Sequence, residues 1–195
     1  KSHGFNRLTL AVGYLAELIK AYFQDGSRWG VQIDYSHEAE PLGTAGPLAL
    51  IDNLDETFLV MNADVISNID FNILLQYHCD LGSIATIGAF QREVKIDLGV
   101  IVGDSHNRIK DYIEKPTHSY LVSMGVYVFE PEILQFISGK GYLDFPDLVK
   151  LLLDAGLPVY YYPFSGYWLD IGRHEDYAKA ANEFSEIFPH LHISQ

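Results

Sequence analysis

The sequence predicts an α/β fold: a mostly parallel sheet with helices on both faces and a β-rich insertion. Short apolar runs typical of buried strands alternate with stretches whose apolar residues recur at helical spacing, which favours βαβ units. Between Ser83 and Phe129 this alternation gives way to consecutive strand-like segments, which indicate the insertion. The length of 195 residues and the 48% hydrophobic content fit a single domain over residues 1–195.

Strands are predicted where aliphatic, β-branched and aromatic residues run together or alternate with polar ones. Phe58–Met61 is an uninterrupted apolar run, which predicts a central strand covered on both faces. The predicted strands are Leu8–Val12, Val31–Tyr35, Phe58–Met61, Ile84–Phe90, Leu98–Val102, Ile109–Ile113, Val122–Phe129 and Val159–Tyr162.

Helices are predicted where apolar residues recur every three or four positions between capping residues. Asp70 is the expected N-cap of the third helix, and Gly26 is expected to end the first helix in the left-handed conformation. Cys79 falls within an apolar helical pattern and is predicted to be a core thiol. The predicted helices are Tyr14–Phe23, Gly43–Ile51, Phe71–Cys79, Pro131–Ile137, Phe145–Ala155 and Glu175–Phe188.

The composition excludes several functional classes. With 26 acidic and 13 basic residues the net charge is −13, which argues against nucleic acid or acidic membranes as partners. One cysteine excludes a disulfide framework, and no apolar run approaches the roughly 18 residues of a membrane span. The prediction is a soluble, cytoplasmic protein. The acidity also argues at first against phosphorylated ligands, but metal-dependent phosphate chemistry requires carboxylates at the site.

Two aspartates occupy positions suited to chemistry, because ligands of α/β sheets bind at the carboxyl ends of the strands. Asp64 directly follows the predicted strand Phe58–Met61, and Asp170 lies between aromatic and glycine residues in Gly166–Gly172. If the two carboxylates converge, they suit Mg²⁺, which takes oxygen ligands and shares them with substrate phosphates. The simpler alternative is that Asp64 caps a turn.

Two further motifs suit a phosphorylated sugar or a nucleotide. The turn Gly43–Gly46 leads into a predicted helix, where backbone N–H groups favour anions or polar bases, although a plain helix cap is the simpler interpretation. Glu114 and Lys115 end a predicted strand, and Pro116 fixes the backbone beside them. A hydroxyl acceptor next to a cation suits a sugar phosphate, and a solvated charge pair is the alternative.

Together and in this order, the motifs resemble those of the sugar-1-phosphate nucleotidyltransferases, also called nucleoside-diphosphate-sugar pyrophosphorylases. The resemblance extends over nearly the whole chain and is greatest to the mannose-1-phosphate guanylyltransferase branch. The motifs that carry it are Glu40-Pro41-Leu42-Gly43-Thr44-Ala45-Gly46, Asn62-Ala63-Asp64, Asp97-Leu98-Gly99-Val100, Glu114-Lys115-Pro116, Ser123-Met124-Gly125-Val126-Tyr127-Val128-Phe129 and Gly166-Tyr167-Trp168-Leu169-Asp170-Ile171-Gly172.

The resemblance implies a Rossmann-like fold and a reaction. A sugar-1-phosphate oxygen attacks the α-phosphorus of a nucleoside triphosphate, giving an NDP-sugar and pyrophosphate. The resemblance implies three catalytic residues. Asp64 and Asp170 would hold Mg²⁺, and Lys115 would bind the sugar phosphate. Sugar hydroxyls would be held by Gly99 and Glu114, in a pocket shaped by Gly125. The base pocket would be lined by Gly43, Thr44, Ala45 and Gly46.

One family feature lies outside the sequence. The family begins with a glycine-rich loop that carries an Arg and is followed by a Lys, and this chain starts after that region. We therefore expect an N-terminally truncated domain without its first βα unit, inactive on its own. The expected partners are a nucleoside triphosphate and a sugar-1-phosphate, without nucleic acid or membrane. A homo-oligomer and an upstream domain in a longer protein are both compatible with the sequence.

Three alternatives stay open at this point. Thymidylyl-, uridylyl- and cytidylyltransferases of the same family differ in a few base contacts that the sequence does not identify. A non-catalytic regulatory module that binds a nucleotide sugar would need no metal-binding aspartates. A metal-dependent glycosyltransferase usually carries an Asp-x-Asp motif, and Asn62-Ala63-Asp64 lacks the first carboxylate of that motif.

Overall fold

The computed structural model describes residues 1–137, 139, 141–172 and 174–188. Its strands are β1 (Arg7–Val12), β2 (Gln32–His37), β3 (Phe58–Met61), β4 (Val65–Ser67), β5 (Ala85–Lys95), β6 (Val100–Gly103), β7 (Ile109–Ile113), β8 (Thr117–Phe129), β9 (Val159–Phe164) and β10 (Trp168–Asp170). Its α-helices are α1 (Ala16–Phe23), α2 (Phe71–Asp80), α3 (Leu134–Ile137), α4 (Phe145–Asp154) and α5 (His174–Ile187). Short 3₁₀ helices span Ser27–Trp29, Gly46–Leu50 and Pro131–Ile133.

The α/β fold class is confirmed, with strand directions more mixed than a mostly parallel sheet. Strands β1 and β2 pair in parallel, joined by α1 as a βαβ unit requires. The largest sheet has the order β3-β8-β5-β9, and β3 and β8 are antiparallel. The pairs β4–β10 and β6–β7 are also antiparallel. In the largest sheet the antiparallel pairing arises because β8, which belongs to the β-rich segment, is the neighbour of β3.

The position of β3 differs from the prediction. Phe58–Met61 forms the expected strand, but β3 lies at one end of the strand order in the described sheet, beside β8 alone. All four of its residues are half-buried. An uninterrupted apolar run is therefore compatible with a strand at the end of the order whose residues are all half-buried. The expectation of a central, fully covered strand was wrong for the described residues.

Helix α2 begins as predicted but buries a different side chain. The Asp70 carboxylate accepts hydrogen bonds from the N–H groups of Asn72 and Ile73, so it caps the helix. The buried positions are Leu74 and His78, whereas Cys79 is exposed, so the prediction of a core thiol was wrong. The helical phase explains this, because positions four apart share a face and Cys79 follows one step round the helix.

Both ring nitrogens of the buried His78 have hydrogen-bond partners inside the protein. Its Nδ1 lies 2.8 Å from Thr86 Oγ1 and its Nε2 lies 3.0 Å from Glu130 Oε1. Thr57 Oγ1 donates to the same Glu130 oxygen over 2.7 Å. This network satisfies the polar atoms that α2 brings against β5, which is how a buried imidazole avoids a desolvation penalty.

Apolar side chains from α4, the sheet and the 131–137 segment form the main core. Phe129 is fully buried, and its ring lies 5.7 Å from that of Tyr127 and 5.8 Å from that of Phe145, nearly parallel to both. The buried members of this cluster are Ala45, Leu48, Ala85, Tyr127, Phe129, Ile133, Ile137, Leu143, Phe145, Leu148 and Leu152.

The chain folds into two compact units. The first contains Lys1–Met61, Asp70–Ile87 and Val126–Tyr161, and the second contains Asn62–Ile69, Gly88–Gly125 and the chain from Tyr162 onward. The main core lies in the first unit, and the assignment of residues 1–195 to one domain stays a prediction. Among the described residues, no helix combines the length and the apolar character needed to cross a lipid bilayer.

Candidate active site

The two predicted metal-binding aspartates are placed by a pair of short strands that the sequence did not reveal. Strands β4 and β10 pair antiparallel with Asp170 opposite Val65, so Asp64 and Asp170 stand at the same end of the pair. The N–H of Ile171 donates to the Asp64 carbonyl oxygen over 2.8 Å and extends this register. Backbone pairing therefore brings together two residues that are far apart in the sequence.

The two carboxylates converge beside Gly172. A Cβ atom at this glycine would lie 3.1 Å from Asp170 Oδ1 and 3.6 Å from Asp64 Oδ2, so both oxygens face one small space. The N–H of Gly172 donates to Asp170 Oδ1 over 2.9 Å and orients that carboxylate. Both residues are exposed, and two converging carboxylates are a donor set that fits Mg²⁺.

No group of three or more His, Cys, Asp or Glu side chains in the described part of the chain has the geometry to hold a metal ion. A two-carboxylate site is nevertheless typical of Mg²⁺ in phosphate-handling enzymes, because water and substrate phosphate supply the other ligands. The residues present therefore fit a metal that is shared with a substrate.

An aromatic wall borders the carboxylates. The ring centroids of Trp168 and Phe90 are 5.3 Å apart, and Trp168 Nε1 donates to the Met124 carbonyl oxygen over 3.0 Å. The cavity beside this wall has a volume of about 540 Å³, which accommodates a phosphorylated ligand. Besides the two aspartates and the two rings, it is lined by Arg92, Leu169, Gly172, Asp176 and Lys179.

Helix α5 is attached to this site through Tyr167. The Tyr167 hydroxyl donates to Glu183 Oε2 over 2.9 Å. Burial of the phenol, together with the hydrogen bond to Glu183 and the charge of that residue, raises the pKa of Tyr167 to about 12. Tyr167 is therefore protonated throughout the physiological range and keeps its bond to α5 there.

Gly125 lies next to the residue that begins the first aspartate motif. The N–H of Asn62 donates to the Gly125 carbonyl oxygen over 2.8 Å, and a Cβ at Gly125 would meet the Asn62 amide at 2.9 Å. Gly125 also has a φ of 72°, which favours glycine. The structure thus brings Gly125 close to the Asn62–Asp64 segment, as a shaping role requires.

The other predicted sugar-binding residues are associated with the β6–β7 hairpin. The ring of Tyr112 lies directly against Gly99 and leaves no room for a Cβ there. Glu114 is exposed at the end of β7, and Lys115 adopts a φ of 45°, an uncommon conformation for a residue with a side chain. None of these residues is among those that line the described Asp64 cavity.

The Gly43–Gly46 turn proves to be bound to the start of α4. Thr44 N–H donates to Asp144 Oδ1 over 2.9 Å, and the N–H groups of Ala45 and Gly46 donate to the Leu143 carbonyl oxygen. The Thr44 hydroxyl accepts from Phe145 N–H over 2.9 Å and so caps α4. The predicted helix over Gly43–Ile51 is only a short 3₁₀ helix, and three amides expected to face a ligand are already used.

Asp144 makes this contact pH-dependent. Hydrogen bonds from the Thr44 N–H, the Tyr142 hydroxyl and the Thr44 hydroxyl lower the pKa of Asp144. A carboxyl group with a lowered pKa in the folded state stabilises the protein above its unfolded pKa, near 4, and this contribution disappears as the pH falls through the folded value. We expect Asp144→Asn to unfold with a weaker pH dependence below about pH 5 than the unmodified protein.

Urea unfolding at pH 7 and at several acidic pH values measures this effect. Asp154→Asn, which removes an exposed carboxylate at the end of the same helix, is the matched control and should retain the full pH dependence. Equal slopes for Asp144→Asn and the unmodified protein would show that the Thr44–Asp144 contact contributes nothing.

Comparison with known proteins identifies the family. The sequence profile of the nucleotidyl transferase family matches residues 1–186. The chain is 36% identical to the UTP–glucose-1-phosphate uridylyltransferase of Synechocystis sp., over 92% of this chain and 52% of that protein. It is 35% identical to the mannose-1-phosphate guanylyltransferase catalytic subunit beta of Drosophila melanogaster, over 89% of this chain and 49% of that protein. The chain thus spans about half the length of these relatives.

A solved structure supports the fold independently. Crystalline HddC from Yersinia pseudotuberculosis superposes with a TM-score of 0.70 over 94% of this chain and 80% of its own, at 22% identity. The resemblance inferred from the motifs is therefore confirmed at the level of family and fold.

Proposed function

This chain belongs to the nucleotidyl transferase family, and we propose that it serves the transfer of a nucleotidyl group from a nucleoside triphosphate to a sugar-1-phosphate. The products are an NDP-sugar and pyrophosphate. The observation that carries the proposal is the convergence of the Asp64 and Asp170 carboxylates beside Gly172, in a cavity of about 540 Å³. Two relatives are named as a glucose-1-phosphate uridylyltransferase and a mannose-1-phosphate guanylyltransferase, and these names support the same reaction class.

We propose a guanine nucleotide and mannose-1-phosphate as the preferred substrates. The Gly43–Gly46 turn, the segment Tyr142–Pro146 and the motif Gly166–Gly172 favour the guanylyltransferase branch. UTP with glucose-1-phosphate is the main comparator, because a uridylyltransferase is similar to the chain to the same degree.

Asp64 and Asp170 are proposed to hold Mg²⁺, which when bound neutralises phosphate charge near the reacting phosphorus. Nucleotidyl transfer needs little covalent participation by the protein, so rate enhancement comes from positioning and charge stabilisation. The two carboxylates suit this role because the β4–β10 pair places their backbones side by side and the Gly172 N–H orients the Asp170 carboxylate. Both residues line the cavity in which the phosphates would lie.

Lys115 is proposed to bind the sugar phosphate, and Glu114 and Gly99 the sugar hydroxyls, with Gly125 shaping the pocket. The left-handed backbone at Lys115 supports a functional role, since strained residues of this kind concentrate at binding sites. The Pro116 carbonyl accepts from Ile96 N–H over 3.0 Å and holds the strained segment in place. A Lys in a fixed position supplies a point charge for a phosphate.

The Gly43–Gly46 turn is proposed to form one wall of the base pocket. Its contribution would come from the exposed Thr44, because Ala45 and Gly46 are buried and the N–H groups of the turn are engaged by Leu143 and Asp144.

Thermal unfolding with a panel of nucleotide sugars and Mg²⁺ tests the proposal. A ligand at 100 times its Kd adds about 2.7 kcal/mol of stability, so a specific ligand is easily ranked. We expect GDP-mannose to raise the Tm most and UDP-glucose, dTDP-glucose and CDP-glucose less. The absence of any shift with all four ligands would contradict the proposal. Product formation from GTP and mannose-1-phosphate then tests turnover itself.

A further inference from the structure

Two cationic side chains share the cavity with the aspartates. Arg92 on β5 and Lys179 on α5 line the same space as Asp64 and Asp170. All four residues belong to the second compact unit. Neither cation belongs to a motif that carries the family resemblance, so their presence at this cavity is a property of the fold that the motifs do not explain.

Neither cation forms an ion pair with any side chain that the structure describes, although three carboxylates line the same cavity. Elsewhere in the described chain, Lys20, Arg108 and Lys150 pair with carboxylates three or four residues away. The chain has 26 acidic and only 13 basic residues, so cations have no shortage of partners. The cavity that these cations and the aspartates line is therefore available to a ligand that contacts both.

The chemistry of the ligand follows from this charge arrangement. A metal held by Asp64 and Asp170 would bind one side of a phosphate group, and the remaining phosphate oxygens would carry uncompensated charge. Arg presents a planar fork that matches phosphate geometry, and Lys presents a compact charge. The apolar wall of Trp168 and Phe90 limits water on one side, which strengthens such contacts.

We propose that Arg92 and Lys179 bind the nucleotide-derived phosphate of the nucleotide sugar, in the cavity that they share with the metal-binding aspartates. The proposal rests on the proposed function and adds an anion subsite to it. This subsite is separate from Lys115, which is proposed to bind the sugar-1-phosphate and does not line this cavity. The two groups of cations then recognise different phosphates.

Isothermal titration of the full chain in Mg²⁺ with GMP, GDP-mannose and mannose-1-phosphate tests the subsite. Both side chains are exposed, so solvent screens their contacts, and we expect roughly 5- to 10-fold weaker binding of GMP and of GDP-mannose for Arg92→Gln and for Lys179→Gln. Mannose-1-phosphate should bind as before. Arg92→Lys should fall in between, because it keeps the charge and loses the fork.

Arg108→Gln and Lys150→Gln are matched controls, since each removes one exposed positive charge away from the cavity. A loss as large in these controls would overturn the subsite and indicate a general charge effect. Unchanged affinity for GMP and GDP-mannose in Arg92→Gln and Lys179→Gln, or an effect on mannose-1-phosphate alone, would also overturn it. If Asp170→Asn still weakens GDP-mannose binding in that case, the proposed function stands without the subsite. If the unmodified chain binds no nucleotide sugar, the proposed function itself fails.

Discussion

Asp170→Asn is expected to weaken Mg²⁺-dependent binding of GDP-mannose by about 100-fold or more, and Asp64→Asn to do the same. A metal that neutralises phosphate charge contributes several kcal/mol, and 100-fold corresponds to about 2.7 kcal/mol. The Asn side chain keeps the volume and can still accept the Gly172 N–H, so the fold should be unaffected. Each substitution removes only one negative charge from the place beside Gly172 where the two carboxylates converge.

Titration calorimetry with and without Mg²⁺ separates this effect from others. In EDTA the variants and the unmodified chain should bind equally weakly, because the metal contribution is then missing from all of them. Asp154→Asn removes an exposed carboxylate elsewhere and should behave as the unmodified chain does. Full affinity of Asp64→Asn and Asp170→Asn in Mg²⁺ would instead favour the regulatory module, which binds nucleotide sugars without a metal.

Local signals in the sequence were sufficient for elements whose character is set within a few residues. Ile109–Ile113 and Phe58–Met61 form strands with the predicted bounds, and Asp70 caps its helix as its position before Phe71 indicates. Strands β4 and β10 carry no such signal. Each has three residues and is defined by pairing between positions about 100 residues apart, as between Trp168 and Ser67. Tertiary pairing rather than local preference forms them.

The candidate site also has features that the sequence predicts and features that only the fold shows. The aspartates could be found because each ends a strand-like or aromatic segment in a recognisable motif. Their convergence depends on the β4–β10 register, which the sequence does not encode locally. Arg92 and Lys179 are exposed charges on a strand and a helix, and nothing in their neighbourhood distinguishes them from solvated residues. Conversely, the N–H groups of the Gly43–Gly46 turn are occupied by Leu143 and Asp144, a contact that only the fold reveals.

Phe129→Ala is expected to lower the free energy of unfolding by about 3–5 kcal/mol, the range for truncating a buried aromatic residue. The ring is fully buried and packs between Tyr127, Phe145 and Phe58, with centroid separations of 5.7, 5.8 and 5.9 Å. Three rings would lose contacts at once, and stacked aromatic neighbours cannot collapse fully into the space left behind. Denaturant unfolding at neutral pH measures the loss.

Tyr14→Ala is the matched control, because this aromatic ring is 90% exposed and its removal should change the free energy of unfolding by less than about 0.5 kcal/mol. Phe129→Leu should cost less than Phe129→Ala, since it leaves a smaller cavity. A loss below about 1 kcal/mol for Phe129→Ala would mean that the core relaxes around the missing ring. The Thr44 hydroxyl accepts from Phe145 N–H, so such relaxation should also loosen the Gly43–Gly46 turn. Phe129→Ala would then show the same weakened acid pH dependence of unfolding that is expected of Asp144→Asn.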